Sequence, residues 1–198
     1  KGFNVDIHIA MRYWHPLTEV AVKNIIASKP DRIILLPLYP QYCKATTGSS
    51  VNEWNRVTKK LNMPNIPTTL IEHYYDHPLY IKALVENIRT SLERVPVEDR
   101  GRVHLVFSAH GTPMKLVRQG DPYSHQIRLT YEAVLREGNF GLPHHLCFQS
   151  KVGPQKWLEP SLEQTIERLA GERVSHVIVI PIAFVSNHIE TLSEINIE

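Results

Sequence analysis

Short apolar runs alternate with segments of helical periodicity along the whole chain, and this alternation allows few folds. The run "RIILLPLYP" at residues 32–40 is continuously apolar, as in a parallel strand covered on both faces. Similar or alternating patterns predict further strands at residues 5–11, 68–72, 103–109, 144–150 and 174–184. Helical patterns lie between most of them, and the longest runs from about Pro78 to Arg94. A β-α order that recurs in this way predicts parallel sheets covered by helices.

The pattern restarts after "VPVEDRGR" at residues 95–102, which divides the chain into two halves of common domain size. We predict an α/β chain with two doubly wound (flavodoxin-like) domains, at residues 1–95 and 96–198. The chain begins without Met inside a strand-like pattern and stops inside a helical one. We therefore interpret it as an internal piece of a longer protein, with the first domain incomplete at its start and the second at its end.

Two helix starts are also predicted. Pro16 suits the first turn of a helix over "PLTEVAVKNI", because proline has the fixed φ of that turn and lacks only an N–H that would be unpaired there. Ser50 and Glu53 have the spacing of a capping box, in which each side chain accepts from the other residue's backbone N–H.

Composition excludes several classes of protein. The formal net charge of +2 does not indicate a nucleic-acid partner, and no apolar run has the roughly 18 residues that span a bilayer. Two cysteines, Cys43 and Cys147, do not make a disulfide framework. The chain contains no G-x-G-x-x-G, no phosphate-binding G-x-x-x-x-G-K-[ST] and no paired C-x-x-C, which weakens dinucleotide, P-loop and zinc-ribbon interpretations.

Polar and aromatic side chains follow the predicted strands. In open parallel sheets, ligands bind outside the carboxyl ends of the strands. The strand at 103–109 leads into His110, and the last strand leads into "SNHIE" with His188 and Glu190. A strand-end histidine alone is more often structural than functional. Glu190, Glu194 and Glu198 share one helix face, and such a row is more often a solvated surface than a site.

Several long stretches resemble the ferrochelatase family, in the family's order: "AMRYWHPLTEVA", "YPQY", "TTGSS", "FSAHGTPM", "GDPY", "FQSKVGPQKWLEP" and "PIAFVSNHIETLSEINIE". The resemblance implies a chelatase fold of two similar domains with four-stranded parallel sheets and a porphyrin cleft between them. It also implies insertion of Fe(II), as substrate, into protoporphyrin IX, giving protohaem and two protons in the last step of haem biosynthesis.

The resemblance also implies roles for particular residues. His110 and Glu190 are the expected catalytic residues and, with Glu194, the expected metal ligands. A neutral imidazole can accept a proton or ligate iron, and a carboxylate suits a hard divalent ion. Which of His110 and Glu190 binds iron and which takes protons stays open. The expected porphyrin-binding residues lie at the ends of several strands: Arg12, Tyr13, Ser150, Trp157, Phe184 and His188.

Other readings and properties stay open at this point. Coproporphyrin III is an alternative substrate, a cobalt chelatase an alternative enzyme, and a non-catalytic porphyrin- or haem-binding carrier an alternative function. Some family members carry an iron–sulfur cluster, but Lys44 stands where a cluster cysteine falls in animal members, beside Cys43, so the cluster stays unknown. The oligomeric state is likewise unknown. The expected location is the bacterial cytoplasm, or the matrix side of the inner mitochondrial membrane in a eukaryote, with peripheral membrane contact through segments outside this chain.

Overall fold

Parallel strands and helices alternate in the structure, a computed structural model that describes residues 4–151, 153–186 and 191–192. The predicted α/β class with parallel sheets is confirmed. The strands are β1 Ile33–Leu35, β2 Thr68–Leu70, β3 His104–His110, β4 His144–Gln149 and β5 Val177–Pro181. The helices are α1 Thr18–Ser28, α2 Ser49–Lys60, α3 Pro78–Glu93, α4 Met114–Arg118, α5 Tyr123–Gly138 and α6 Leu162–Gly171. None of the described helices is both long and apolar enough to cross a membrane.

The first compact unit contains residues up to Pro37 and Cys43–Glu72. Strands β1 and β2 pair in parallel, with Ile33 opposite Thr68 and Leu35 opposite Leu70. Helices α1 and α2 pack on each other, and the core is small. Its buried members come from both helices and from β1: Val22, Ile25, Ile33, Trp54 and Val57.

Two strand predictions are wrong in this unit. The continuously apolar β1 is covered on one face only, because Ile33 is buried whereas Ile34 is 61% exposed. The predicted strand at residues 5–11 is not formed: Val5 and Ile7 are exposed, and only Met11 makes an isolated bridge, to Leu17. Alternating polarity suits a strand that has one buried face. A strand also needs a neighbouring strand that pairs with its backbone N–H and carbonyl groups. The sheets in the described residues therefore have two and three strands, not four.

The predicted helix starts are also displaced. Helix α1 begins at Thr18, after Leu17, so Pro16 precedes it. A π-helical turn over Lys44–Gly48 runs directly into α2. Because the backbone of Gly48 is already helical, Ser50 lies inside the helix and cannot cap it. The capping box forms instead at α6, where Ser161 Oγ accepts from the N–H of Gln164 and Gln164 Oε1 accepts from the N–H of Ser161.

The second compact unit contains Leu38–Tyr42 and the chain from His73 onward. Its sheet has the order β4-β3-β5, all parallel, with β3 in the centre. Residues 105–109 of β3 are buried, as expected for a strand with neighbours on both edges. Helix α6 packs on β4, and Val106 of β3, Cys147 of β4 and Leu169 of α6 form a buried cluster.

Helix α3 belongs to this second unit, and this differs from the division predicted after residue 95. Its length agrees closely with the predicted helix, and its buried face includes Ile81, Leu84, Val85 and Ile88. That face packs against α5 and β5. The boundary between the compact units consequently lies after Glu72, and the short segment Leu38–Tyr42 also belongs to the second unit.

Histidines stand at the amino ends of adjacent strands in the second unit. His104 Nδ1 and His145 Nε2 are 3.0 Å apart, and Arg168 Nη2 lies 3.2 Å from His145 Nδ1. A guanidinium only donates, so His145 Nδ1 accepts, and its Nε2 carries the proton that is donated to His104. Burial lowers the pKa of His145 below its ordinary value of 6.5, and the nearby Arg168, His104 and His144 lower it further.

The observed capping box predicts that Ser161→Ala lowers the stability of the protein by about 1 kcal/mol, because the N–H of Gln164 loses its acceptor. Ser50→Ala is the matched control and should leave stability within about 0.5 kcal/mol of wild type. Thermal unfolding measures both. A larger loss from Ser50→Ala than from Ser161→Ala would contradict the observed position of the cap.

The histidine pair predicts a loss of stability in mild acid. A histidine whose folded pKa is depressed contributes stability that is complete above its unfolded pKa and is lost as pH falls from about 6.5 through the folded value. We expect His145→Gln to reduce this loss, because Gln does not titrate. Unfolding midpoints between pH 7.5 and about pH 5 measure the effect, and parallel curves for wild type and variant would contradict it.

Candidate active site

His110 is the last residue of the central strand β3 and stands at the carboxyl edge of the sheet. It pairs with Gln149, the last residue of β4. Its carbonyl accepts a hydrogen bond from Tyr123 Oη on α5 at 3.0 Å, and its side chain is half-buried. The backbone that carries the imidazole is therefore held by the sheet and by a helix. This placement agrees with the expectation that His110 follows a buried strand.

Ser108 ties the ends of three strands together. Its Oγ donates to Gln149 Oε1 at 2.6 Å, and its carbonyl accepts from the N–H of Ile182 at 2.9 Å. Ser108 and Ile182 are fully buried, and Gln149 is nearly so. Because β3 lies between β4 and β5, one serine contacts both neighbours immediately before His110. The pattern did not single out Ser108 or Gln149 for this role.

The loop after β3 runs antiparallel to the loop after β4. The N–H of Met114 donates to the carbonyl of Lys156 at 2.8 Å, and the N–H of Leu158 donates to the carbonyl of Thr112 at 3.1 Å. Pro113 therefore pairs with Trp157. This pairing brings the half-buried Trp157 beside the residues that follow His110.

Gly111 is required where these loops meet. A Cβ at Gly111 would lie 2.9 Å from the backbone oxygen of Gln149 and 3.3 Å from Cε3 of Trp157. Its N–H also donates to that same Gln149 oxygen at 2.7 Å. A cavity of about 120 Å³ adjoins this point and is bordered by Phe148 and Lys151, among others.

Two further predicted pocket residues lie at strand ends of this unit. Ser150 directly follows β4 with φ +65°, a left-handed conformation that non-glycine residues seldom adopt. Phe184 follows β5 and borders a groove of about 410 Å³ between α3 and β5. The second unit thus carries His110, Ser150, Trp157 and Phe184 at the carboxyl ends of its parallel strands.

Arg12 and Tyr13 form a small cluster of their own in the first unit. Arg12 Nε donates to Ser49 Oγ at 3.0 Å, and Tyr13 Oη lies 3.3 Å from the same oxygen. The guanidinium of Arg12 also lies 4.7 Å from the centre of the Tyr13 ring. Ser49 was not predicted as a site residue, although the "TTGSS" stretch that contains it was one of the signals.

The remaining predicted site residues, His188, Glu190 and Glu194, lie outside the described residues. Within the described part of the chain, no group of three or more His, Cys, Asp or Glu side chains could hold a metal ion. The described cysteines are both buried. Burial raises the pKa of Cys147 to about 11, so its thiol stays protonated at neutral pH.

Comparison with known proteins identifies the family of the chain. A family model described as Ferrochelatase matches residues 1–198. The chain belongs to the ferrochelatase family. It is 45% identical to the ferrochelatase of Aquifex aeolicus, over 98% of this chain and 61% of that protein. It is 46% identical to the ferrochelatase of Geotalea daltonii, over 96% of this chain and 58% of that protein. The ferrochelatase of a Sulfurihydrogenibium species is 44% identical, over 95% of this chain and 61% of that protein.

The chain spans about three fifths of the length of these ferrochelatases. Family membership applies to the whole chain, including the stretch that carries Glu190. The individual roles of the site residues stay predictions.

The packing at Gly111 predicts that Gly111→Ala costs about 1 to 3 kcal/mol, because the new methyl group meets a backbone oxygen that cannot move without separating β3 from β4. Gly171→Ala on α6 is the matched control, because a Cβ there has no atom within 4 Å. Thermal unfolding measures the stability of both variants. Equal behaviour of the two variants would contradict the close contact.

Proposed function

We propose that the complete protein containing this chain inserts Fe(II) into protoporphyrin IX, producing protohaem and releasing two protons. The observation that carries the proposal is His110, which ends the central strand β3 within a chain of the ferrochelatase family. Its backbone is held by Tyr123, and the Trp157 loop runs beside the residues that follow it. An imidazole at the edge of a sheet can act on a substrate that binds at the carboxyl ends of the strands.

The chemistry that His110 supplies follows from its side chain. Insertion must remove two protons from pyrrole nitrogens and strip water from ferrous iron. A neutral imidazole has an ordinary pKa of about 6.5, so it can accept one of these protons at neutral pH or ligate the iron. Glu190 is the proposed second group, as a metal ligand or as the acceptor of the other proton, and Glu194 extends the acidic path.

The aromatic and cationic side chains have a separate proposed role in binding the porphyrin. Trp157 and Phe184 offer apolar surface to a flat macrocycle, and contact with such walls can hold it in a strained shape. Arg12 can pair with a propionate, since a guanidinium matches carboxylate geometry. Ser150 and Tyr13 complete the proposed wall, and His188 is proposed to support Glu190.

The similarity to the proteins of Aquifex aeolicus and Geotalea daltonii supports a bacterial source, and we propose a cytoplasmic location with peripheral membrane contact. The near family alternative is coproporphyrin III, whose four propionates would need more cationic partners than the two of protoporphyrin IX. The chain's described residues favour neither substrate, so the test compares both.

The test follows porphyrin absorbance and fluorescence during anaerobic addition of Fe(II) or Zn(II) to the complete protein. We expect protoporphyrin IX to be converted in a metal-dependent reaction. His110→Ala should lower the insertion rate by about a hundredfold or more, the usual range for loss of a general acid–base group, with porphyrin affinity little changed. Glu190→Gln should have a similar effect and Glu194→Gln a smaller one.

His125→Ala is the matched control, because His125 is an exposed histidine on α5 of the same unit. It should insert metal at the wild-type rate. Near-normal insertion by His110→Ala would contradict the catalytic role of that residue. Faster conversion of coproporphyrin III would change the substrate, and tight binding with conversion of neither porphyrin would indicate a carrier.

A further inference from the structure

The carbonyl of Ile182, one residue beyond β5, accepts hydrogen bonds from two side chains that are far away in the sequence. Tyr80 Oη on α3 donates to it at 2.8 Å, and Gln41 Nε2 donates at 3.1 Å. All three residues belong to the second compact unit. A carbonyl oxygen has two lone pairs, so these two donors use its full capacity. Ordinary strand ends need no such pair of side chains.

The backbone N–H of Ile182 is held as well. The N–H of Ile182 donates to the carbonyl of Ser108, and Ser108 lies two residues before His110. Phe184, a proposed wall of the porphyrin site, lies two residues after Ile182. Residue 182 is therefore the point at which the end of β5 is joined to the His110 strand on one side and to α3 on the other.

The donors are themselves held in place. Gln41 is 1% exposed, and its Nε2 also donates to Thr130 Oγ1 at 3.0 Å. Burial raises the pKa of Tyr80, so its hydroxyl keeps the proton that it donates. Next to Gln41, the N–H of Tyr42 donates to Gln126 Oε1 at 2.7 Å on α5. The two donors thus reach Ile182 from rigid surroundings.

Stability alone is a poor reason for a glutamine at this place. Gln41 Oε1 is buried and has no hydrogen-bond partner among the described residues. Leaving one buried acceptor unpaired is destabilising, and this offsets much of what the two bonds from Nε2 contribute. The hydrogen bonds of Gln41 therefore add little net stability, yet one of them orients the carbonyl of Ile182. We infer that the function of Gln41 is to fix the position of the chain at Ile182.

We propose that Gln41 and Tyr80 are positioning residues for porphyrin binding, which hold the carbonyl of Ile182 at the end of β5 so that Phe184, two residues further along the chain, keeps its place. The inference rests on the proposed function only in taking a porphyrin as the ligand. Neither residue touches the reacting atoms in this scheme. Their loss therefore affects how tightly the macrocycle is held more than how fast a bound one reacts.

The test uses Tyr80→Phe and Gln41→Met in the complete protein, since each keeps the approximate size of the side chain and removes its donors to Ile182. Protoporphyrin IX fluorescence titration gives Kd, metal-insertion assays give KM and kcat, and thermal unfolding gives Tm. We expect each variant to raise Kd and KM about three- to tenfold, the effect of one hydrogen bond, with kcat within about twofold of wild type.

Tyr131→Phe is the matched control. Tyr131 also loses one hydroxyl bond, to His144 Nδ1 at 2.6 Å, but this bond lies at the amino end of β4. The control should leave Kd within about twofold of wild type even if its Tm falls as far as that of Tyr80→Phe. A wild-type Kd in both Tyr80→Phe and Gln41→Met, or a Kd that follows Tm equally in all three variants, would overturn the proposal.

The outcomes also separate this inference from the proposed function. A wild-type protein that binds protoporphyrin IX without inserting metal contradicts the proposed chelatase activity, whereas the comparison of Kd values still decides the role of Gln41 and Tyr80. A wild-type protein that does not bind the porphyrin overturns both.

Discussion

The burial of β3 is the constraint on which the second unit depends. A buried strand must satisfy every backbone N–H and carbonyl within the protein, so β3 needs a strand on each edge and receives β4 and β5. Parallel pairing then places the carboxyl ends of all three strands at one edge of the sheet. For this reason His110 ends β3 at the same edge of the sheet at which Ser150 follows β4 and Phe184 follows β5, although 40 and 34 residues separate the three in turn along the chain.

The hydrogen bonds of Ser108 and Ile182 fix the ends of the three strands relative to one another. Pairing alone leaves the last residues of a strand free to fray, whereas the bonds of Ser108 to Gln149 and to Ile182 join three strand ends through buried groups. Gln41 and Tyr80 extend the same network, because both side chains donate to the carbonyl of Ile182. The backbone that carries the imidazole of His110 is consequently held from several directions.

Much of the second unit could be predicted from the sequence because its signals are local. The apolar run before His110, the long helix from Pro78 and the strand at 144–149 all carry enough burial pattern to identify them. The first unit was harder to predict from the sequence. The alternation at residues 5–11 fits a strand but has no partner, and Ile34 is apolar yet exposed, because periodicity does not say which face another element will cover. Ser50 has the capping spacing, but a preceding π-helical turn had already started the helix.

The sequence by itself determined the family, the parallel α/β class and the residue types at the strand ends, because these depend on local composition and on long motifs. Only the tertiary structure decided that α3 packs with the second unit, that Ser49 joins Arg12 and Tyr13, and that Ser108, Gln41 and Tyr80 hold the strand ends. Each of these depends on hydrogen bonds or packing between residues far apart in the chain. Such contacts leave no periodic trace in a sequence, since their energy arises only once the distant groups have been brought together.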